Sequence, residues 1–113
     1  MTRERTDVVY GADPFKGDQY SRPWCILNDK QYPFHGDQYL VVPLTTKNWY
    51  DGLVPIPERA WINGGTPEPS NLVPWTVHTL DEADIEFCQG TLEASLVDQV
   101  TSTLTSYLAG RSD

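Results

Sequence analysis

Apolar and polar positions alternate or cluster in runs of five to eight residues along most of the chain, and only the last twenty residues change period. "DVVYGAD" (residues 7–13) is a short apolar run closed by Gly11, Asp13 and Pro14, which predicts a first strand and a turn. "RPWCILN" (22–28) and "YLVVPLTT" (39–46) are rich in β-branched and aromatic residues and too short for helices with such flanks, so each predicts a strand. "GLVPIPERAW" (52–61) carries two prolines, which suit an edge or bulged strand and forbid a central one. A turn-rich stretch, "INGGTPEPSN" (62–71), precedes "LVPWTVHTL" (72–80), read as another strand.

From residue 91 the spacing becomes helical. Leu92, Leu96, Val97, Val100, Leu104, Tyr107 and Leu108 recur at steps of three and four, with Thr91 as the expected cap and Gly110 as the expected stop. Several short strands followed by one amphipathic C-terminal helix predict a mostly β fold, a small barrel or strongly bent sheet. "PFKGDQY" (14–20) returns as "PFHGDQY" (33–39), but the flanks "SRPWCIL" and "LVVPLTT" share nothing. The repeat therefore predicts two hairpin-type loops, in which Gly-Asp supplies the tight backbone angles, and not an internal duplication.

Length limits the picture to a single domain spanning 1–113, with 1–6 and 111–113 expected as flexible ends. Apolar residues are 39% and aromatics 12% of the chain, enough for a small core. No apolar run approaches the roughly 18 residues of a membrane span, and the start lacks the long apolar stretch of a secretion signal, so no membrane partner and a cytoplasmic location are expected. Cys25 and Cys88 lie in strand-like stretches and read as small buried residues; with only His35 and His78 beside them, no metal site is expected. His35, in the second loop, is expected to face solvent.

Sixteen acidic residues against eight basic ones give a formal charge of −8. The carboxylates are scattered and predict a solvated acidic coat. Scarce Lys beside plentiful Asp, Glu and Thr is the balance expected of a halophilic protein, soluble in concentrated salt.

A first strand, a Gly-containing loop closed by Arg22-Pro23, "WCILND", "VVPLTT", and a strand ending in "HTLD" before the last helix follow one another along roughly residues 7 to 110. In that order the chain resembles the MazF/PemK toxins of bacterial and archaeal toxin–antitoxin systems. The resemblance implies a dimeric SH3-like barrel that cuts single-stranded RNA at short sequences without metal or cofactor. It also implies silencing by a cognate antitoxin, through which alone DNA would be contacted. It places the catalytic Arg at Arg22 and the catalytic Thr at Thr45, with Thr46 as the neighbouring alternative. Lys16 and Gln19 fall in the loop that closes over RNA, and His78 stands where a basic residue helps form the groove. The family's acidic-Gln pair is replaced here by Trp75 and Thr76, which predicts a different base preference, and the first loop is shorter than usual.

Metal-free RNA cleavage uses the ribose 2′-hydroxyl as nucleophile, so the enzyme has only to position the chain, move protons and neutralise phosphate charge. Arg22 suits the last task and Thr45 the first. Trp49 and Trp75 are the aromatic residues best placed to stack bases. On residue types alone, an Arg before Pro and a Thr pair at a strand end are also ordinary strand and turn material. Two rivals follow: a barrel kept as a protein-binding module, and a nucleic-acid-binding regulator without catalysis.

Overall fold

The computed structural model describes residues 3–17 and 20–110. Eight strands form one strongly bent sheet: β1 (Asp7–Ala12), β2 (Ser21–Ile26), β3 (Gln38–Thr45), β4 (Val54–Pro55), β5 (Trp61–Gly64), β6 (Asn71–Leu72), β7 (His78–Asp81) and β8 (Ile85–Leu92). One helix, α1 (Ala94–Ala109), follows. The strand order is β4-β6-β3-β2-β1-β8-β5, with β7 paired to β3 beside β6. This is the mostly β architecture with a C-terminal helix that the apolar pattern predicts.

Alternation along β1, β2 and β3 divides the apolar residues between the two faces of the sheet. Val8, Cys25, Val42 and Leu44 face α1 and pack with Leu96, Val97 and Val100. Val9, Trp24, Ile26, Tyr39 and Val41 form a second cluster with Leu80 on the other face. The helix periodicity holds for its first three turns, whereas Tyr107 and Leu108 remain exposed at 50% and 78%. Gly110 ends the helix in the left-handed region at φ 62°, as expected.

Four expectations are corrected. Thr91 does not cap the helix: it lies in β8, where its hydroxyl donates to the Asp7 carboxylate at 3.0 Å, and Glu93 precedes the first turn without a side-chain cap. Residues 72–80 are not one strand, because Val73–Thr76 turn the chain between β6 and β7. Only Cys25 is buried; Cys88 is exposed, since β8 turns one face to solvent. His35 is nearly buried at 8% side-chain exposure, its ring edge-on to Tyr39 and its Nδ1 3.0 Å from the Asn28 amide. Ahead of β1, Arg3 pairs with Glu82 and Arg5 with Asp98.

The two copies of the repeated heptapeptide do connect antiparallel strands, β1 to β2 and β2 to β3. Gly17 and Gly36, the equivalent glycines, share the left-handed region at φ 98° and 102°.

Candidate active site

The β1–β2 hairpin register puts Gly11 opposite Arg22 and Ala12 opposite Ser21. Trp24, Cys25 and Ile26 of β2 pair with Pro43, Val42 and Val41 of β3. Continued two residues, that register sets Arg22 across from Thr45. Strand pairing thus delivers a guanidinium and a hydroxyl to one edge of the sheet. Both line a cleft of about 620 Å³, together with Asp13, Lys16, Thr46, Lys47, Tyr50 and Trp75.

Arg22 is held from three sides. Its Nη2 donates to the Leu44 carbonyl, its Nη1 lies 3.7 Å from the Asp13 carboxylate, and its guanidinium stands 5.7 Å from the centre of the Trp24 ring. Its Nε is buried without a hydrogen-bond partner among the described residues. Burial lowers the Arg22 pKa from its ordinary value, and Asp13 opposes that shift. A cation so placed is partly stripped of water, which strengthens its pull on any anion entering the cleft.

Asp13 carries no mark of function in the sequence beyond closing the first strand. It is 3% exposed, and its Oδ1 accepts the Phe15 backbone N–H at 2.9 Å, so the turn that ends β1 also fixes the carboxylate facing Arg22. Only the hairpin, which folds Asp13 back beside Arg22, reveals the pair.

Thr45 Oγ1 accepts the Lys47 backbone N–H at 3.2 Å, and the Lys47 carbonyl accepts from Asn71 at 3.0 Å. These bonds fix the turn after β3 and leave the Thr45 hydroxyl hydrogen uncommitted. Among the described residues, three of the chain's eight Lys and Arg, Lys16, Arg22 and Lys47, line this cleft, against the one carboxylate of Asp13. A chain of net charge −8 thus presents a locally cationic groove.

Of the residues singled out from sequence, Arg22, Thr45, Thr46, Lys16 and Trp75 come together in the cleft. Gln19 lies outside the described residues. Trp49 does not line it: the residue is 68% exposed, its ring lies tilted by 39° against Tyr50 at 5.9 Å and carries the Lys47 ammonium at 5.5 Å. His78 does not line it either, its ring packing against Trp24 at 5.2 Å and Phe15 at 6.1 Å. Asp13, Tyr50 and Lys47 were missed. Among the described residues no three His, Cys, Asp or Glu side chains gather as metal ligands would, and no helix is long and apolar enough to cross a membrane.

Residues 4–108 match the family model described as "PemK-like, MazF-like toxin of type II toxin-antitoxin system". Similar solved structures include a MazF from Deinococcus radiodurans, with a TM-score of 0.76 at 15% identity over 96% of this chain and 98% of that one. A MazE–MazF complex from the same organism gives 0.72 at 17%, covering 99% of both chains. An endoribonuclease in complex with its cognate antitoxin, from a mycobacterial species, gives 0.72 at 15% identity over 99% of this chain and 98% of that one. At these identities the likeness is one of fold. No curated protein sequence matches the chain.

Proposed function

The chain belongs to the PemK-like, MazF-like toxins of type II toxin–antitoxin systems, a family of endoribonucleases, and we propose that it cuts single-stranded RNA, sequence-selectively and without a metal, in the cleft around Arg22 and Thr45. The observation that carries this reading is the convergence of those two side chains, from β2 and β3, on one cationic groove. A ribose 2′-hydroxyl attacks the adjacent phosphorus, the bond to the 5′-oxygen of the next nucleotide breaks, and a 2′,3′-cyclic phosphate and a 5′-hydroxyl result. One proton leaves the 2′-oxygen and one reaches the departing 5′-oxygen.

Arg22 holds the non-bridging oxygens, where charge accumulates in the transition state. Its lowered pKa, caused by burial, is the direction a guanidinium needs if it also moves a proton. Asp13 positions Arg22. Thr45, with one lone pair accepting the Lys47 N–H, donates its hydrogen to a phosphate oxygen. Lys16 and Lys47 supply further phosphate contacts, and Trp75, 42% exposed at the cleft wall, offers a face for a base. By the same reading the active form is a cytoplasmic homodimer, and a cognate antitoxin holds it off, as the similar mycobacterial endoribonuclease is named in complex with its own.

Incubation of purified protein with a long single-stranded RNA at high and low salt, with and without chelator, tests the reading. Expected are discrete fragments with cyclic phosphate ends, insensitivity to chelator, and no cutting of the same sequence as DNA, which lacks the nucleophile. Cutting by Arg22→Ala at the wild-type rate would place the activity elsewhere. Wild-type protein that binds RNA or protein but never cuts RNA would leave a binding module of the same fold.

A further inference from the structure

A second cleft of about 360 Å³ meets the first at Leu44, Thr45 and Thr46, which line both. Its floor is a row across the sheet. Phe87 of β8 pairs with Tyr10 of β1, Tyr10 pairs with Pro23 of β2, and the β2–β3 register continued by one residue sets Pro23 across from Leu44. Tyr10 and Phe87 stack at 5.2 Å with their planes 23° apart, and Phe87 is 49% exposed. The result is a flat, partly bare aromatic surface leading to the Thr45 rim.

The polar groups at its walls differ from those of the first cleft. No Lys or Arg lines it, and Glu68 brings a carboxylate. Thr66 and Ser70 are spent inside their own loop, both bonding the Glu68 carbonyl. Gln89 is two residues beyond Phe87 on β8, and its Oε1 is buried with no hydrogen-bond partner among the described residues. A buried, unpartnered acceptor is rare enough to call for an explanation, and a bound donor is one.

We propose that this second cleft is a base subsite, occupied by the nucleobase flanking the cut bond, with Gln89 as the residue that reads it. The inference rests on the proposed RNA cleavage and adds the specificity to it. Arg22 and Pro23 are successive strand residues and point to opposite faces, so an RNA crossing the Thr45–Thr46 rim sets its phosphate beside Arg22 and its next base on Tyr10 and Phe87. Lacking cations and carrying Glu68, the cleft disfavours a phosphate. Its two acceptors, Gln89 Oε1 and the Glu68 carboxylate, suit both hydrogens of an exocyclic amino group, which adenine, cytosine and guanine carry, whereas uracil offers a single N3–H flanked by two carbonyls. Stacking on the aromatic floor supplies affinity and leaves the choice of base to the amide.

Mapping cut ends on an RNA pool randomised around the site tests this with wild type, Gln89→Leu and Gln89→Glu. Wild type is expected to exclude uracil at one position flanking the cut. Gln89→Leu should lose about tenfold of that discrimination while producing the same cyclic phosphate ends, and Gln89→Glu, still an acceptor, should keep it. Leucine replaces an unpartnered acceptor by an apolar group of similar size, and a melting curve verifies the fold. An active Gln89→Leu with unchanged base preference at both flanking positions overturns the subsite and leaves the cleavage reading intact. A wild type inactive on every RNA overturns both.

Discussion

Arg22 departs from ordinary surface behaviour, because three groups of the fold immobilise it while burial removes part of its water. Its replacement by Ala should slow RNA cleavage about 10²–10³-fold, the range for removing one preorganised transition-state donor. Lys should not restore the rate, since an ammonium cannot bond Leu44, face Asp13 and fork onto a phosphate together. Single-turnover rates on one RNA check both. Thr45→Val keeps the shape and removes the donated hydrogen, with an expected loss of about 10–100-fold. The two cysteines give an independent check at this scale. Burial pushes the Cys25 thiol up to about 12, while Cys88 is exposed and raised less. A thiol reagent at mildly alkaline pH should therefore label Cys88 alone in native protein and both cysteines in denaturant. Fast labelling of both in the native state would contradict this burial pattern.

Among the elements, α1 is packed in its first half and bare at its last turn. Leu96 is 8% exposed and seated in the apolar cluster under β1 and β3, so Leu96→Ala should lower unfolding free energy by about 2–4 kcal/mol. Leu108, at 78% exposure on the last turn, should change it by less than about 0.5 kcal/mol when truncated. Denaturant titrations of the two variants distinguish a packed first half from a free end of the same helix. Gly90 is set by close approach: a Cβ there would meet the Asn63 carbonyl at 2.6 Å and the Trp61 ring at 2.9 Å. These elements were unequally legible in the sequence. β1, β2, β3 and the helix stand out because each buries a periodic apolar face. The apolar pattern merges β4 and the start of β5 into one edge strand over 52–61, which a turn at Glu58–Ala60 divides, and β6 into one strand over 72–80, because strands of two to four residues are too short to show a period and are held by partners distant in sequence. Thr91 was misassigned for the same reason: a Thr before an apolar run is an N-cap by local chemistry, but pairing with Asp7 keeps it in β8.

For the whole molecule, a net charge of −8 on 113 residues means mutual repulsion among exposed carboxylates, with the three cations of the cleft as a local exception. We propose that the chain is adapted to concentrated salt. Raising salt from roughly 0.1 M to about 2 M shortens the screening length from about 10 Å to a few Å, and the melting temperature should rise by about 5 °C or more. A melting temperature that stays flat or falls across that range would rule the adaptation out. The sequence by itself determined the class of fold, β1, β2 and β3, and the helix, because apolar periodicity and the order of short motifs are properties of the chain read along its length. Tertiary structure alone decided that Asp13 faces Arg22, that Trp49 and His78 stand off the cleft while Trp75 lines it, and that Gln89 and Thr45 line one second cleft. Those relations are set by strand register and by which side of the sheet a side chain leaves. Both depend on hydrogen bonds between residues far apart in the chain, which no local pattern records.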